Sequence, residues 1–207
     1  MTNPDLTALA LLVDRSGSMQ SVKDDAEGAI AAFLEAQRAV PGRCLVRLSD
    51  FDTEYREVYP MTPIADVPAY SLEPRGGTAL LDGIGRLVTG LGAELAAMPE
   101  PERPGTVIVV VQTDGQENSS REWDLKGINA LITQQREQYS WDFVFLGAGP
   151  GAIQTAESYG FAAGSAIAYT ASGAGTRSVV AAAAGYVSRA RSGAPTSFTD
   201  AERNSAL

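Results

Sequence analysis

The sequence predicts an α/β fold: a doubly wound, mostly parallel central sheet with one antiparallel edge strand and helices on both faces. Three observations carry that expectation. Short apolar or β-branched runs alternate with amphipathic stretches along the whole chain. Residues 6–13 and 106–111 are nearly continuous in apolar side chains, as in strands buried on both faces. A turn-like pair, Asp52-Thr53, joins two early runs into a single hairpin.

The elements follow in order. Residues 6–13 form the first strand. Residues 21–39 carry Val22, Ala26, Ile30, Phe33 and Leu34 at helical spacing and stop at Pro41-Gly42. Residues 44–51 and 54–59 are the hairpin strands, and a loop with Pro60, Pro63, Pro68 and Pro74 runs into Arg75-Gly76-Gly77. Residues 78–98 are helical, with an apolar stripe of Leu80, Leu81, Ile84, Leu87, Val88, Leu91 and Leu95. The β-branched run 106–111 is a central strand by composition. Residues 123–139, 152–159 and 176–189 then read as helices, with strands at 143–146 and 166–169 between them. No fixed-period repeat or linker divides the chain, which is expected to form one domain over residues 1–191. The small, polar segment 192–207 is expected to be a flexible tail.

Composition narrows the chemistry. The 207 residues include 44% hydrophobic and 20% charged side chains, ordinary soluble usage. Lys plus Arg is 16 against Asp plus Glu at 25, a net charge of −9, which disfavours nucleic acid and anionic membrane surfaces as partners. The chain has no histidine, so imidazole-based triads, proton shuttles and metal sites are excluded. The lone cysteine, Cys44, cannot form an internal disulfide or a thiolate zinc cage. Any metal must therefore be held by oxygen. No run approaches the roughly 20 apolar residues of a membrane span, and no basic segment precedes the first apolar run. A cytoplasmic, bacterial-type setting is the expectation.

In open α/β sheets ligands bind beyond the carboxyl ends of the strands, where strand order reverses. After the first strand comes Asp14-Arg15-Ser16-Gly17-Ser18-Met19, and after the central strand Thr113-Asp114-Gly115. Gly76-Gly77-Thr78 opens the helix between them. Two carboxylates and three hydroxyls would converge there without a lysine or histidine, a hard-oxygen set suited to Mg²⁺, Mn²⁺ or Ca²⁺. Taken singly, Ser16 and Ser18 would serve as helix caps, Asp114-Gly115 as a turn and Gly77-Thr78 as a helix start. Their joint placement favours a site.

The Asp14-x-Ser16-x-Ser18 run, the Gly-Gly-Thr78 loop and Thr-Asp114-Gly together resemble the metal-ion-dependent adhesion site of von Willebrand factor type A domains. The resemblance spans residue 6 to the last predicted helix, and it implies a Rossmann-like sheet of that family. It also implies roles: Ser16 and Ser18 bind the metal directly, and Thr78, Asp14 and Asp114 bind directly or through water. A carboxylate from a partner protein would complete the octahedron around Mg²⁺, with Mn²⁺ or Ca²⁺ as alternatives. The expected function is thus a non-catalytic, divalent-metal-dependent protein-binding adaptor. The rivals are a metal-dependent phosphoester hydrolase, for which only Asp14, Asp114 or Glu117 would serve as base, and a structural domain with a vestigial site.

Other features weigh less. Asp82, Glu117 and Asp52 are weaker candidates: Asp82 and Glu117 either bond to metal-bound water or loop backbone or are plain solvated carboxylates. Residues 147–152 fit G-x-G-x-x-A, but no acidic residue follows between Glu157 and Asp200 to hold a ribose, so they read as a tight turn. The Gly-rich helix start at residues 173–177 lacks a phosphate-binding lysine. Aspartyl phosphatases need a second carboxylate two residues after the first, and Ser16 stands in that place here. Cys44, Trp123 and Trp141 are expected in packing, as are Tyr55, Tyr59 and Tyr70.

Overall fold

The computed structural model describes residues 1–207. Its strands are β1 (Asn3–Asp14), β2 (Arg43–Phe51), β3 (Tyr55–Pro63), β4 (Pro104–Thr113), β5 (Asp142–Ala148) and β6 (Ala166–Tyr169). Its helices are α1 (Lys23–Arg38), α2 (Leu80–Ala97), α3 (Leu125–Tyr139), α4 (Ala152–Ser158), α5 (Gly173–Arg191) and α6 (Asp200–Ala206). No helix is long and apolar enough to cross a membrane.

The strands form one sheet in the order β3-β2-β1-β4-β5-β6. Every neighbouring pair is parallel except β2 and β3, the hairpin at one edge. From β1 the chain builds outward through β2 and β3, then crosses to the other side of β1 to lay down β4. The order therefore reverses between β1 and β4, which opens a crevice beyond their carboxyl ends.

Alternation along the strands feeds two cores. Leu9, Leu11 and Val13 of β1 face α1 and α5, whereas Ala8, Ala10 and Leu12 face α2 and α3. Both sets are buried, which explains why β1 shows no polar alternation. On the first face Ala182, Ala183 and Ala184 keep α5 slim and close against α1. Cys44, Trp141, Tyr59 and Tyr70 are buried as expected.

Two expectations need correction. The loop predicted from Pro60 onward begins four residues later, because β3 runs through Pro60 to Pro63. An edge strand tolerates proline, since its missing N–H costs no ladder bond on the open side. Residues 192–207, expected as a flexible tail, carry α6 and pack onto β6. Thr199 and Glu202 form a capping box at the start of α6. Arg189 holds the Glu202 carboxylate through two contacts of 2.9 and 3.0 Å. Arg203 donates to the Ala166 carbonyl at 2.8 Å, and Thr170 N–H donates to the Ala206 carbonyl at 3.0 Å. The segment thereby covers a strand edge that would otherwise expose unpaired backbone. Thr199→Ala is expected to weaken this docking by about 1 kcal/mol, seen as faster hydrogen exchange confined to the α6 amides.

Candidate metal centre

The crevice between β1 and β4 is where the sequence-predicted site residues meet. Asp14 ends β1 and is fully buried. Its Oδ1 accepts the Ser16 backbone N–H at 2.7 Å, and its Oδ2 accepts the Thr113 hydroxyl at 2.6 Å. Ser18 donates its hydroxyl to Asp114 Oδ1 at 2.8 Å and shares a hydrogen bond of 3.0 Å with the Ser16 hydroxyl. A Cβ built on Gly115 would lie 3.1 Å from Thr78 Oγ1 and 3.9 Å from Asp14 Oδ2. These two oxygens therefore border one small space that a side chain at position 115 would fill. Asp14, Ser16, Ser18, Thr78 and Asp114 are brought together.

The capping alternative does not hold. Ser16 precedes a short 3₁₀ turn and makes no side-chain cap bond, and α1 starts after Val22 with no side-chain cap. Both hydroxyls instead belong to the carboxylate cluster.

Each loop is held from several sides. Arg15 N–H donates to the Phe51 carbonyl, Arg75 N–H to the Arg15 carbonyl and Gly17 N–H to the Gly76 carbonyl. Gly76 adopts φ +66°, and a Cβ there would come within 3.2 Å of Thr53 Oγ1, so the turn calls for glycine. Asn118 clamps Thr78: its Oδ1 accepts the Thr78 N–H at 2.9 Å, and its own N–H donates to the Thr78 carbonyl at 3.0 Å.

Asp82 and Glu117 prove to be loop organisers rather than free carboxylates. Asp82 accepts the backbone N–H groups of Arg121, Glu122 and Trp123, while Glu117 accepts those of Leu81, Ser119 and Ser120. The two residues cross-link the start of α2 to the loop after β4. Asp52 is also buried, in ion pairs with Arg15 and Arg75. Sequence reasoning missed Thr113, Asn118 and the partners of Arg15. Thr113 was legible as the hydroxyl beside Asp114, but its bond crosses from β4 to β1 and needs the sheet order.

The electrostatics suit a cation. Desolvation by burial pushes the Asp14 carboxyl up to about 6, opposed by hydrogen bonds from Thr113 and Ser16 and reinforced by the charge of Asp114. Burial likewise raises Asp114, against the Ser18 hydrogen bond. No lysine or arginine bonds to either carboxylate. The fold contains no cluster of three His, Cys, Asp or Glu, so hydroxyl oxygens must complete any coordination. An all-oxygen set of this kind fits Mg²⁺, Mn²⁺ or Ca²⁺ better than a metal that favours nitrogen and sulfur.

No protein-family model and no curated protein matches the sequence. Solved structures do. The chain is similar to proximal thread matrix protein 1 from the mussel byssus, at TM-score 0.64 and 15% identity over 92% of this chain and 48% of that one. A further structure of that protein, described as having a zinc-occupied MIDAS motif, gives TM-score 0.64 and 14% identity, over 91% of this chain and 47% of that one. A von Willebrand factor type A protein from Catenulispora acidiphila gives TM-score 0.60 and 14% identity, over 89% of this chain and 42% of that one. The chain thus spans about half the length of the mussel protein, at 48%. Likeness at such identity concerns the path of the backbone.

Proposed function

We propose that this chain, which has the fold of von Willebrand factor type A domains, is a non-catalytic protein-binding module that works through a divalent cation in a cytoplasmic setting. The carrying observation is the cluster of Asp14, Asp114 and three hydroxyls, with no cationic side chain bonded to its carboxylates. Ser16, Ser18, Thr78, Asp14 and Asp114 would hold the ion, with Mg²⁺ the first choice. A bound ion supplies a positive centre able to accept a carboxylate oxygen from a partner protein. The zinc-occupied motif in the mussel protein supports a metal at this place in the fold. Thr113 fixes the orientation of Asp14, and Asn118 fixes the backbone of Thr78.

The binding reading is favoured over a hydrolase by the state of Glu117. Both of its carboxylate oxygens are engaged with backbone N–H groups and the Ser120 hydroxyl. Asp14 and Asp114 belong to the donor set itself. No carboxylate is thus left over as a general base.

Calorimetric titration of chelator-stripped protein with Mg²⁺ and Mn²⁺ tests the proposal. Saturable binding is expected for the wild type and none for Asp14→Ala or Asp114→Ala. Thr113→Val, which keeps shape and removes the hydroxyl, is expected to weaken binding about 10–100-fold. Equal heats in wild type and both aspartate variants would refute the site. Phosphoester turnover lost in Asp114→Ala would revive the hydrolase.

A further inference from the structure

Beside the candidate centre lies a cavity of about 470 Å³, open to solvent, to which Thr113 and Gly115 of the centre also belong. Its apolar lining includes Leu80, Phe145, Ala152 and Tyr159, all buried. One wall is the turn at residues 147–151, the Gly-rich segment that fits a dinucleotide pattern in the sequence. Here its small residues serve to hold the cavity open. A Cβ on Gly147 would lie 2.6 Å from Phe145 Cε1 and 2.7 Å from Ala152 Cβ, so the chain packs directly on the apolar floor. Gly149 and Gly151 face open space instead.

The lining narrows the chemistry that belongs there: beside the apolar floor stand the uncharged polar side chains of Thr113, Gln116 and Thr155. It holds no lysine or arginine, so nothing is available to neutralise a phosphate. Its single ionic side chain is Glu117, and that carboxylate is already occupied by loop donors. An uncharged apolar group fits such a space, and its size matches one or two side chains rather than a flat surface.

We propose that this cavity is a specificity pocket for an apolar side chain of the partner, borne two residues from the carboxylate that the centre receives. The assignment rests on the cation-dependent reading of the neighbouring cluster. In an extended chain, residues i and i+2 point to the same side about 7 Å apart. A Glu-x-Leu or Leu-x-Glu segment would therefore present its carboxylate and its apolar group to adjoining sites. The carboxylate gives attachment and the leucine gives selection.

The test uses the full chain with Mn²⁺ and four peptides: acetyl-Gly-Glu-Gly-Leu-Gly-amide, its reversed-order form, and versions of the first with glycine for leucine or glutamine for glutamate. Amide chemical shifts of Gly147, Ala148 and Thr155, recorded with diamagnetic Mg²⁺ in place of Mn²⁺, report occupancy, and calorimetry reports Mn²⁺ separately. The better of the two Leu peptides is expected to bind roughly tenfold more tightly than the leucine-free one, the value of burying such a side chain. The glutamine peptide is expected to lose binding. Two variants fill the cavity without touching the metal oxygens: Thr155→Trp, on the exposed face of α4, and Gly151→Leu, at a backbone conformation any residue adopts. In both, Mn²⁺ binding and the thermal midpoint are expected to persist while the leucine preference disappears. Intact Mn²⁺ binding with no leucine preference, or a preference unchanged in both variants, overturns the pocket and leaves the metal reading standing. Absent Mn²⁺ binding overturns both.

Discussion

Arg15→Ala is expected to cost about 3 kcal/mol of folding stability, at the lower end of what breaking a buried ion pair costs. The Arg15 side chain is almost wholly buried, and its Nε and Nη2 lie 3.2 Å from carboxylate oxygens of Asp50 and Asp52, both fully buried. Removing the guanidinium strands two carboxylates in the interior. The loss stays near the lower end because other groups remain. Arg56 contacts both Asp50 oxygens, at 3.0 and 2.6 Å, and Arg75 reaches Asp52 at 2.6 Å. Tyr70 also donates to Asp50, at 3.2 Å. The Arg15 Nε has no well-aligned hydrogen bond, so its attraction to Asp50 is chiefly charge–charge. A lysine at position 15 is expected to recover part of the stability without the second contact. Urea unfolding of Arg15→Ala, Asp50→Asn and the double variant, with Arg15→Lys beside them, measures the coupling. A stability loss below about 1 kcal/mol in Arg15→Ala would show that the pair contributes only as surface pairs do. Because Arg15 stands between Asp14 and Ser16, the alanine variant is also expected to bind Mn²⁺ more weakly.

Phe161→Ala is expected to cost about 3–5 kcal/mol, the usual toll for emptying an aromatic site in a packed core. Phe161 is buried, with its ring centroid 5.2 Å from Phe145 and 5.8 Å from Phe143, both in tilted or edge-on contact. Phe145 makes a further edge contact with Tyr159 at 6.2 Å. Phe145 and Tyr159 are also cavity residues, so the loss would be felt in the proposed leucine pocket. Thermal unfolding gives the stability term. A leucine preference reduced alongside, with Mn²⁺ binding retained, would tie the aromatic cluster to selection rather than to attachment.

Much of this architecture was readable from one-dimensional pattern. Strong periodicity located α1, α2 and α5, and the β-branched run located β4, because burial on a face imposes those periods directly. β6 was placed at its observed residues. What escaped was local chemistry that periodicity does not record. α6 has too few residues for an apolar stripe, and it shows itself only through the Thr199-x-x-Glu202 box. The extension of β3 through Pro60 was hidden because proline reads as a breaker unless the strand is known to be an edge. At the site, chain order exposed Asp14, Ser16, Ser18, Thr78 and Asp114. The supporting contacts of Thr113, Asn118 and Arg15 depend on which strands are neighbours, and sequence separation conceals that.

The direction of β1 has a practical bearing on how the molecule is to be handled. Its 12 residues rise about 3.3 Å each, so roughly 40 Å separate the Met1 end from the oxygen cluster. Met1 lies beside Glu100 at the far end of the sheet. The Leu207 carbonyl instead accepts the Thr170 hydroxyl, just past the carboxyl end of β6 and on the same side as the cluster. A bead or sensor chip attached through the amino terminus would display the oxygen cluster outward. One attached through the carboxyl terminus would set the support beside it, shielding the face that a partner must approach.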